Sequence, residues 1–330
     1  MDLPLLSALF AGFSLLLYVL LDGFDLGVGA LLLLQKQEES RDNMIDSITP
    51  TWDGNETWLI MTGVTLLAGF PIAYGILMPA FYIPLVIMLL ALGLRGVSFE
   101  FRSQTKGYRR QWDVVFGVGS IVTACMQGLI LGGLIQGVTI RGEAFTGSVF
   151  DCLRPFPLLC AACVLSGYMM LGGGWLYLKT TGISRHSAAR ALRSALIVFL
   201  TLFGVACFTA AFVQPAVRTA WETHTASLTT IVGLMSLVAV ALFVSIGKSA
   251  ELQPLIAALA VVGLGIVGLA ILVFPGIVPF RLSIWQASAS RLSQTFLLIG
   301  VVFVTPVVLT YSAFSYWVFR GKTPAKGWEA

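Results

Sequence analysis

The chain has 330 residues, of which 57% are hydrophobic and 11% are charged, with a mean hydropathy of +0.90 and a formal net charge of +4. Soluble domains carry about 25% charged residues, so this composition excludes an ordinary soluble protein. The basic excess does not indicate a nucleic-acid partner, because it is explained by the orientation of membrane helices. We therefore predict an all-α polytopic membrane protein.

Nine apolar segments are long enough to cross a hydrocarbon core of about 30 Å as helices. The second is the least apolar, because polar residues fill its first turn and Pro71 ends it. The stretch FPIAYGILMP is predicted to form a tight turn into the third segment. In chain order the nine segments are 5–34, 52–71, 76–95, 113–137, 157–178, 194–214, 227–246, 252–274 and 293–318.

The basic residues predict the orientation of these segments. If all nine cross, fifteen Lys and Arg residues fall on one side, Arg95 among them in the loop after the third segment. Cytoplasmic loops are enriched in Lys and Arg, so the N-terminus is predicted outside, on the periplasmic side, and the C-terminus inside. If the second segment did not cross, the basic loops on its two sides would fall on opposite sides of the membrane, and the Lys and Arg asymmetry would weaken. The other side holds five: Arg141, Arg154, Arg218, Arg281 and Arg291.

The segments group into a single integral membrane domain with no extramembrane domain. Segments one to four and five to eight each start and end outside, which predicts a four-helix unit over 1–138 and another over 139–275. The last helix and a cytoplasmic tail occupy 276–330. Small residues spaced by four favour close helix packing. Such pairs are Gly23/Gly27, Gly128/Gly132 and Gly133/Gly137.

Acidic residues in or beside the apolar segments are few. Asp22 and Asp25 lie three apart in the first segment and share one helix face. A charge facing lipid costs about 2.5–3.5 kcal/mol, so both should face protein or a water-filled path. Two interpretations stay open for them, a hydrogen bond to a partner chain and a proton path. Asp113 stands near the start of the fourth segment, and we predict that it caps that helix.

The stretch TWDGNETWLI opens the second segment and carries a denser polar cluster. Asp53 and Glu56 repeat the spacing of three, with Asn55 between them. Trp52 and Trp58 are predicted to anchor or position the cluster at the membrane interface. For Asp53, helix capping and a functional role both stay open.

Candidate ligands for a haem or a metal are scarce in this sequence. His186 and His224 are its histidines, and both lie outside the predicted segments. Cys160 and Cys163 form a C-x-x-C on an apolar helix, which is more typical of buried small residues than of a redox site. We therefore predict no metal site, no catalytic residue and no redox centre in this chain.

Several stretches resemble signature segments of subunit II of the cytochrome bd-type quinol oxidases. They are DGFDLGVGALL in the first segment, ITPTWDGNETWLI at the second, LRGVSFEFR, QWDVVFGVGS and PGIVPFRLSIWQASASRLSQTF, in the same order along the chain. The short chain and Glu56 are similar to the cyanide-insensitive branch of that family. One departure is Gln286, where comparable relatives carry an acid.

The resemblance implies a heterodimeric terminal oxidase in the bacterial cytoplasmic membrane that oxidises quinol and reduces dioxygen to water. It places two b haems and haem d in subunit I, and implies that subunit II is haem-free, with two four-helix bundles and a peripheral helix. Some members hold a quinone in subunit II. The sequence does not place such a quinone or decide whether a small single-helix subunit is present.

The resemblance also implies that subunit II supplies carboxylates to a proton route from the cytoplasm. Asp53 and Asp25 match its motif positions, and Asp22 and Glu56 complete the predicted route. The alternatives are a secondary transporter with membrane-embedded carboxylates and a purely structural partner subunit. Segments five to eight hold almost no ionisable residue, which counts against a transporter.

Overall fold

The computed structural model describes residues 2–105, 107–248 and 251–323. These residues form twelve α-helices, one 3-10 turn at Asp151–Leu153 and two short β-hairpins. The helices are α1 (Leu3–Leu32), α2 (Glu38–Asp46), α3 (Trp52–Gly69), α4 (Pro71–Ala80), α5 (Tyr82–Gln104), α6 (Arg109–Gln136), α7 (Pro155–Lys179), α8 (Gly182–Val213), α9 (Pro215–Thr223), α10 (Thr225–Ser245), α11 (Gln253–Val273) and α12 (Arg291–Val318).

The two hairpins lie at the same end of the helix bundle. In the first, β1 (Ile140–Arg141) pairs antiparallel with β2 (Ala144–Phe145). In the second, β3 (Gly276–Val278) pairs antiparallel with β4 (Leu282–Ser283). We call this end the hairpin end, and the opposite end, which carries α2, the α2 end. A second apolar core lies at the hairpin end, between α4 and the hairpins.

Eight of the helices are long and apolar enough to cross a membrane, namely α1, α5, α6, α7, α8, α10, α11 and α12. They correspond to eight of the nine predicted segments. The ninth, α3, does form a helix of 18 residues, but its polar first turn keeps its hydropathy low. It runs antiparallel to α1, because Asn55 contacts Asp25 near one end and Gly69 lies beside Ser7 at the other. That α3 crosses the membrane stays a prediction.

The predicted turn after the second segment is wrong. Residues 71–80 form α4, which begins with Pro71 at a position that suits proline and buries Ala73 and Ile76 at the hairpin end. The following helix therefore begins at Tyr82 and continues to Gln104, past the predicted end at residue 95. As a result Arg95 lies inside a helix, not in a loop.

The predicted close packing of glycine-bearing helices is confirmed for two pairs. A Cβ on Gly27 of α1 would lie 1.8 Å from the carbonyl oxygen of Tyr168 on α7. A Cβ on Gly128 of α6 would lie 2.3 Å from Cα of Ala161, also on α7. The backbones of α1 and α6 therefore both touch α7. Gly137 has another role, since it ends α6 with a φ of 97° that favours glycine.

The main apolar core draws residues from α1, α5, α6, α7, α8, α10 and α11, so both predicted four-helix units contribute to it. Helix α12 lies at the edge of this bundle against α3 and α1. Two side-chain contacts attach its two ends. Gln294 Nε2 donates to the carbonyl oxygen of Gly69 at 2.7 Å, and Ser315 Oγ donates to that of Pro50 at 3.0 Å.

Candidate functional site

Two carboxylates from α1 face the interior of the bundle. Asp22 and Asp25 lie three residues apart, on one face of the helix, and both are fully buried. Gly23 and Gly27 occupy a different face, where they let α1 pack directly on α7. This local pattern places carboxylates on one side of α1 and a close helix contact on another.

The partner of these carboxylates is Arg95 of α5, which is also fully buried. Its Nη2 donates to Asp22 Oδ1 at 2.6 Å and lies 4.0 Å from Asp25 Oδ2. The guanidinium also lies over the ring of Phe116, 5.9 Å from its centroid. Asp22 thus has a cationic partner within its own chain, so a hydrogen bond to a partner chain is not needed to explain its burial.

Asp25 has a second, neutral partner that links two more helices. Asn55 Nδ2 of α3 donates to Asp25 Oδ2 at 2.8 Å. Tyr316 Oη of α12 donates to Asn55 Oδ1 at 2.8 Å. We call Asp22, Asp25, Asn55, Arg95 and Tyr316 the Arg95 cluster, which joins α1, α3, α5 and α12.

The Arg95 cluster holds two carboxyl groups against one guanidinium. Four of its buried polar atoms make no hydrogen bond within the described residues: Asp22 Oδ2, Asp25 Oδ1, Arg95 Nε and Arg95 Nη1. Buried polar atoms normally have a partner, and ordered water supplies it where protein does not. This cluster therefore has the capacity to bind water and to hold one additional proton.

The other predicted residues at the head of α3 lie at different depths. Asp53 is exposed in the first turn, and its carboxylate makes no hydrogen bond or ion pair with the residues described. Glu56 is partly buried. Trp52 stacks on Phe99 with 5.0 Å between ring centroids. The structure thus brings Asp22, Asp25 and Asn55 together and leaves Asp53 at the surface of this chain.

Two sequence-based expectations for this region are wrong. Trp58 is fully buried against Phe13, with ring centroids 5.8 Å apart, so it does not anchor at an interface. Asp113 does not cap α6, because that helix begins four residues earlier at Arg109. The Asp113 carboxylate is fully buried, and it accepts from Arg41 Nε at 2.7 Å and from Arg102 Nε at 2.6 Å.

A second ion-pair network therefore lies at the α2 end. Arg102 contacts Asp42 as well as Asp113, and Arg109 Nη1 lies 3.7 Å from Asp42 Oδ2. The network ties α2 to the end of α5 and the start of α6. One sequence signal points to it, since residues 36–46 and 95–113 each carry both acids and arginines.

The C-terminal residues form a third polar group at the α2 end. Lys322 Nζ lies 2.8 Å from Glu251 Oε2, and Arg185 Nη1 lies 2.7 Å from Glu251 Oε1. Hydrogen bonding to Lys322, helped by the charges of both cations, lowers the pKa of the Glu251 carboxyl. The amide of Thr323 donates to the carbonyl oxygen of Lys179 at 3.0 Å. Residues 322 and 323 are thus fastened to α7 and to Glu251 before α11.

His186 was predicted to lie in a loop, but α8 begins at Gly182 and includes it, whereas His224 lies between two helices as predicted. His186 is exposed in the second turn of α8, where Nδ1 lies 2.8 Å from the carbonyl oxygen of Gly182. His224 is partly buried between α9 and α10. Cys160 and Cys163 are buried free thiols on α7. Within the described residues no three His, Cys, Asp or Glu side chains group as a metal site would require.

The sequence profile of the family described as "Cytochrome bd terminal oxidase subunit II" matches residues 3–319. The chain belongs to this family. It is therefore an integral multi-pass subunit of a terminal oxidase and part of an oxidoreductase complex of the respiratory chain. Family membership confirms the resemblance that the sequence motifs indicated, and it favours an oxidase subunit over the transporter alternative.

Relatives of this bd-family subunit cover most of its length. The "Probable cytochrome oxidase subunit 2" of Haemophilus influenzae is 32% identical over 97% of this chain and 94% of its own. The "Cytochrome bd ubiquinol oxidase subunit 2" of Bacillus subtilis is 28% identical over 98% and 96%. The "Cytochrome bd-I ubiquinol oxidase subunit 2" of Escherichia coli K12 is 33% identical over 60% of this chain and 54% of its own.

A solved structure shows the same fold. A chain of the bd oxidase from Geobacillus thermodenitrificans superposes with a TM-score of 0.77, covering 97% of this chain and 99% of that one at 14% identity. At this identity the likeness concerns the fold alone.

Two members of the Arg95 cluster in this subunit II were not predicted. Arg95 was assigned to a loop because its apolar segment was predicted to end at residue 95, nine residues before the end of α5. Tyr316 lies 261 residues from its partner Asn55, near the end of α12, and no sequence pattern links the two. A signal for Arg95 did exist: a buried acid pair in a membrane helix requires a cation, and LRGVSFEFR carries one at the end of an apolar run.

Proposed function

We propose that this chain is the haem-free subunit of a quinol-oxidising, dioxygen-reducing heterodimer and that it carries protons from the cytoplasm towards subunit I. The haems of subunit I would supply the electron transfer from quinol to dioxygen. Reduction of dioxygen to water consumes four protons per molecule, so the complex requires a proton supply. What subunit II offers is a route for those protons through carboxyl groups in its interior.

The histidine positions support a haem-free subunit. Haem iron is commonly held by the imidazole of a histidine, whose side chain must then face the haem pocket. His186 lies exposed at the start of α8 and His224 in the junction between α9 and α10, so neither side chain points to an interior haem pocket among the described residues. The proposed partner is therefore subunit I, with the two b haems and haem d bound there.

The distribution of basic residues supports a cytoplasmic α2 end and a periplasmic hairpin end. Arg95 is buried in α5 and is therefore no longer counted among the basic residues of the cytoplasmic side. The remaining basic residues still favour the α2 end. Under this orientation all nine long helices cross the bacterial cytoplasmic membrane, α3 included. The head of α3, with Asp53 and Glu56, then opens towards the cytoplasm.

The Arg95 cluster is the observation that carries the proposal. Its two carboxyl groups face one guanidinium, so the buried group is electrically neutral when one carboxyl holds a proton. Burial of a net charge costs several kcal/mol, so this neutral state is favoured. Asp25 lies farther from Arg95 than Asp22 does, 4.0 Å against 2.6 Å, and we assign the exchangeable proton to Asp25.

Each residue of the route then has a distinct task. Asp53 collects protons at the cytoplasmic surface, and Glu56, partly buried and one turn further on, passes them inward. Asn55 and Tyr316 hold the Asp25 carboxylate in place through two hydrogen bonds of 2.8 Å. Asp22 is the counterion of Arg95 and does not need to change its proton content.

The test replaces single carboxyl groups and measures quinol-driven oxygen consumption of the purified complex. We expect Asp25→Asn to slow turnover on the order of a hundredfold, since positioned proton transfer contributes about 10²–10⁴-fold. Asp53→Asn should slow it less, on the order of tenfold, because water reaches that exposed position. Haem content should be unchanged in Asp53→Asn, while Asp25→Asn is expected to lower assembly as well as rate.

The matched control is Glu39→Gln, which removes an exposed acid from α2 at the same end. It should leave both turnover and haem content at the wild-type level. Loss of haem and of subunit I in proportion to lost activity would assign Asp25 and Asp53 to structure, the purely structural alternative. Full activity in both variants would place the proton route elsewhere. A quinone in this subunit, a small single-helix subunit and the cyanide-insensitive branch stay predictions of the resemblance.

A further inference from the structure

A cavity of 460 Å³ lies at the hairpin end, away from the Arg95 cluster. It is formed where α6 ends, α7 begins and α8 ends, and the second hairpin closes one side. Its volume is within the range of 300–1,000 Å³ that small-molecule sites occupy. The proton route uses none of the residues that line it.

Two arginines from distant parts of the chain line this cavity. Arg154 precedes α7, and Arg281 lies in the hairpin between β3 and β4. Arg154 Nη2 donates to Asp151 Oδ1 at 2.7 Å, yet its side chain remains 59% exposed. The Arg281 side chain is exposed and has no hydrogen-bond or ion-pair partner among the described residues. With Asp151 counted, the cavity carries one net positive charge.

The backbone around Arg281 is held in a costly conformation. Phe280 has a φ of 61°, a region that bulky side chains rarely adopt. Its ring is partly buried against a small apolar core that includes Phe156 and Val217. The amide of Arg281 donates to the carbonyl oxygen of Val278 at 3.0 Å. Strain of this kind persists where the surrounding structure fixes it, and here it fixes the backbone position from which the Arg281 side chain extends.

The lower wall of the cavity is apolar and borders the lipid-facing surface. Phe156 is buried there, while Val213, the last residue of α8, is 40% exposed. The cavity therefore combines guanidinium groups on one side with an apolar wall at the ends of membrane helices. All five basic residues predicted for this side are arginines, whose planar fork suits the oxygens of a phosphate group.

We propose that this cavity binds a phosphate group, supplied by an anionic phospholipid headgroup or by free phosphate. Arg154 and Arg281, which both line the cavity, donate hydrogen bonds to its oxygens. The first turn of α7 adds the positive end of a 25-residue helix, and of its first three residues Phe156 alone carries an N–H, since 155 and 157 are prolines. The apolar wall accommodates the glycerol and the start of an acyl chain when the source is a lipid.

The test uses the purified two-subunit complex, freed of lipid in a nonionic detergent and titrated with short-chain phosphatidylglycerol. Bound lipid is counted by native mass spectrometry. We expect Arg154→Gln/Arg281→Gln to weaken binding on the order of tenfold or more, because the charge-assisted hydrogen bonds of both guanidinium groups to the phosphate are lost. Arg218→Gln is the matched control, because Arg218 is paired with Glu222 and does not line the cavity. It should bind as wild type does.

Two further arms separate the sources of the phosphate. If inorganic phosphate competes with the lipid at the same variants, free phosphate is an occupant. If it does not compete and phosphatidylglycerol binding still depends on both arginines, the lipid headgroup is the occupant. Binding of phosphate-free diacylglycerol as tight as that of phosphatidylglycerol, or unchanged binding in the double variant, overturns the proposal. Should the double variant fail to assemble, Arg281→Gln alone decides, since that side chain contacts no protein partner in the described residues.

Discussion

A single guanidinium joins the parts of the buried site that come from different helices. Arg95 lies on α5, and its two carboxylate partners lie on α1. All three side chains are fully buried. A buried ion pair contributes little compared with an apolar pair of the same shape, but the loss of one partner leaves an uncompensated charge. The position of Asp25, and with it the proposed proton route, therefore depends on Arg95.

This dependence predicts the outcome of a double-mutant cycle on Arg95 and Asp22. Arg95→Met and Asp22→Asn should each destabilise the subunit by about 3–5 kcal/mol, the usual cost of breaking a buried pair. The double variant should cost less than the sum of the two, because no unpaired guanidinium remains. Thermal unfolding of the purified complex, followed by near-ultraviolet circular dichroism, measures the differences.

The control for that cycle is the exposed pair Arg218 and Glu222, whose side chains are 76% and 64% exposed. Arg218→Met should change stability by about 0–1 kcal/mol, as is usual for surface pairs. Additive effects of Arg95→Met and Asp22→Asn would show that the two residues do not stabilise each other.

Sequence patterns identify only part of this buried site. The acids of α1 could be identified, because a carboxylate in an apolar run requires an explanation by itself. Arg95 could not be assigned to them, because its apolar segment was predicted to end at residue 95, whereas α5 continues nine residues further, to Gln104. The two partners of Asp113 were missed for a related reason. Because α6 begins at Arg109, four residues before the predicted start, Asp113 lies inside the helix and is buried instead of capping it.

At the scale of the elements, the central contact is the one between α1 and α7. Gly27 and Gly172 face each other there, and a Cβ on Gly172 would lie 2.4 Å from the backbone carbon of Gly27. Such a contact leaves no space for a side chain. Since the same turns of α1 carry Asp22 and Asp25 on another face, the glycines fix the position of the carboxylates.

Gly27→Ala tests this contact. Its Cβ would lie 1.8 Å from the carbonyl oxygen of Tyr168, so α1 has to move away from α7. Overpacking of this kind costs about 1–3 kcal/mol and occasionally more. We expect a lower melting temperature and a lower yield of assembled complex. Gly12→Ala on the same helix is the control, because nothing lies within 4 Å of its Cβ, and a similar loss there would refute the explanation.

The elements were better predicted than their ends. Eight of the nine predicted segments are helices long and apolar enough to span a membrane, because a long apolar run has few other interpretations. The short helices α2, α4 and α9 were not predicted. Helix α2 is polar and is held by Arg41 and Asp42 through tertiary ion pairs. Helix α4 depends on an apolar core at the hairpin end that comes from distant parts of the chain.

At the scale of the whole molecule, the two ends differ in their polar structure. The α2 end carries the Asp113 network and the contacts of Lys322 with Glu251. The hairpin end carries the arginine-lined cavity. The proton route and the phosphate site, if the orientation is as proposed, therefore open on opposite sides of the membrane. This separation depends on α3, whose polar head belongs to the α2 end and whose last residue lies at the hairpin end.

The crossing by α3 can be tested with reporter fusions at positions on either side of it. Alkaline phosphatase is active only outside the cytoplasm, so a fusion after Ser47 should be inactive and a fusion after Tyr74 should be active. Residue 47 follows α2, and residue 74 lies in α4 at the hairpin end. A fusion after Gly107, beyond α5, should again be inactive and serves as the control for passage through α5. Equal phosphatase activity of the fusions after Ser47 and Tyr74 would mean that α3 does not cross. Asp53 could then not be the cytoplasmic entry residue of the proton route.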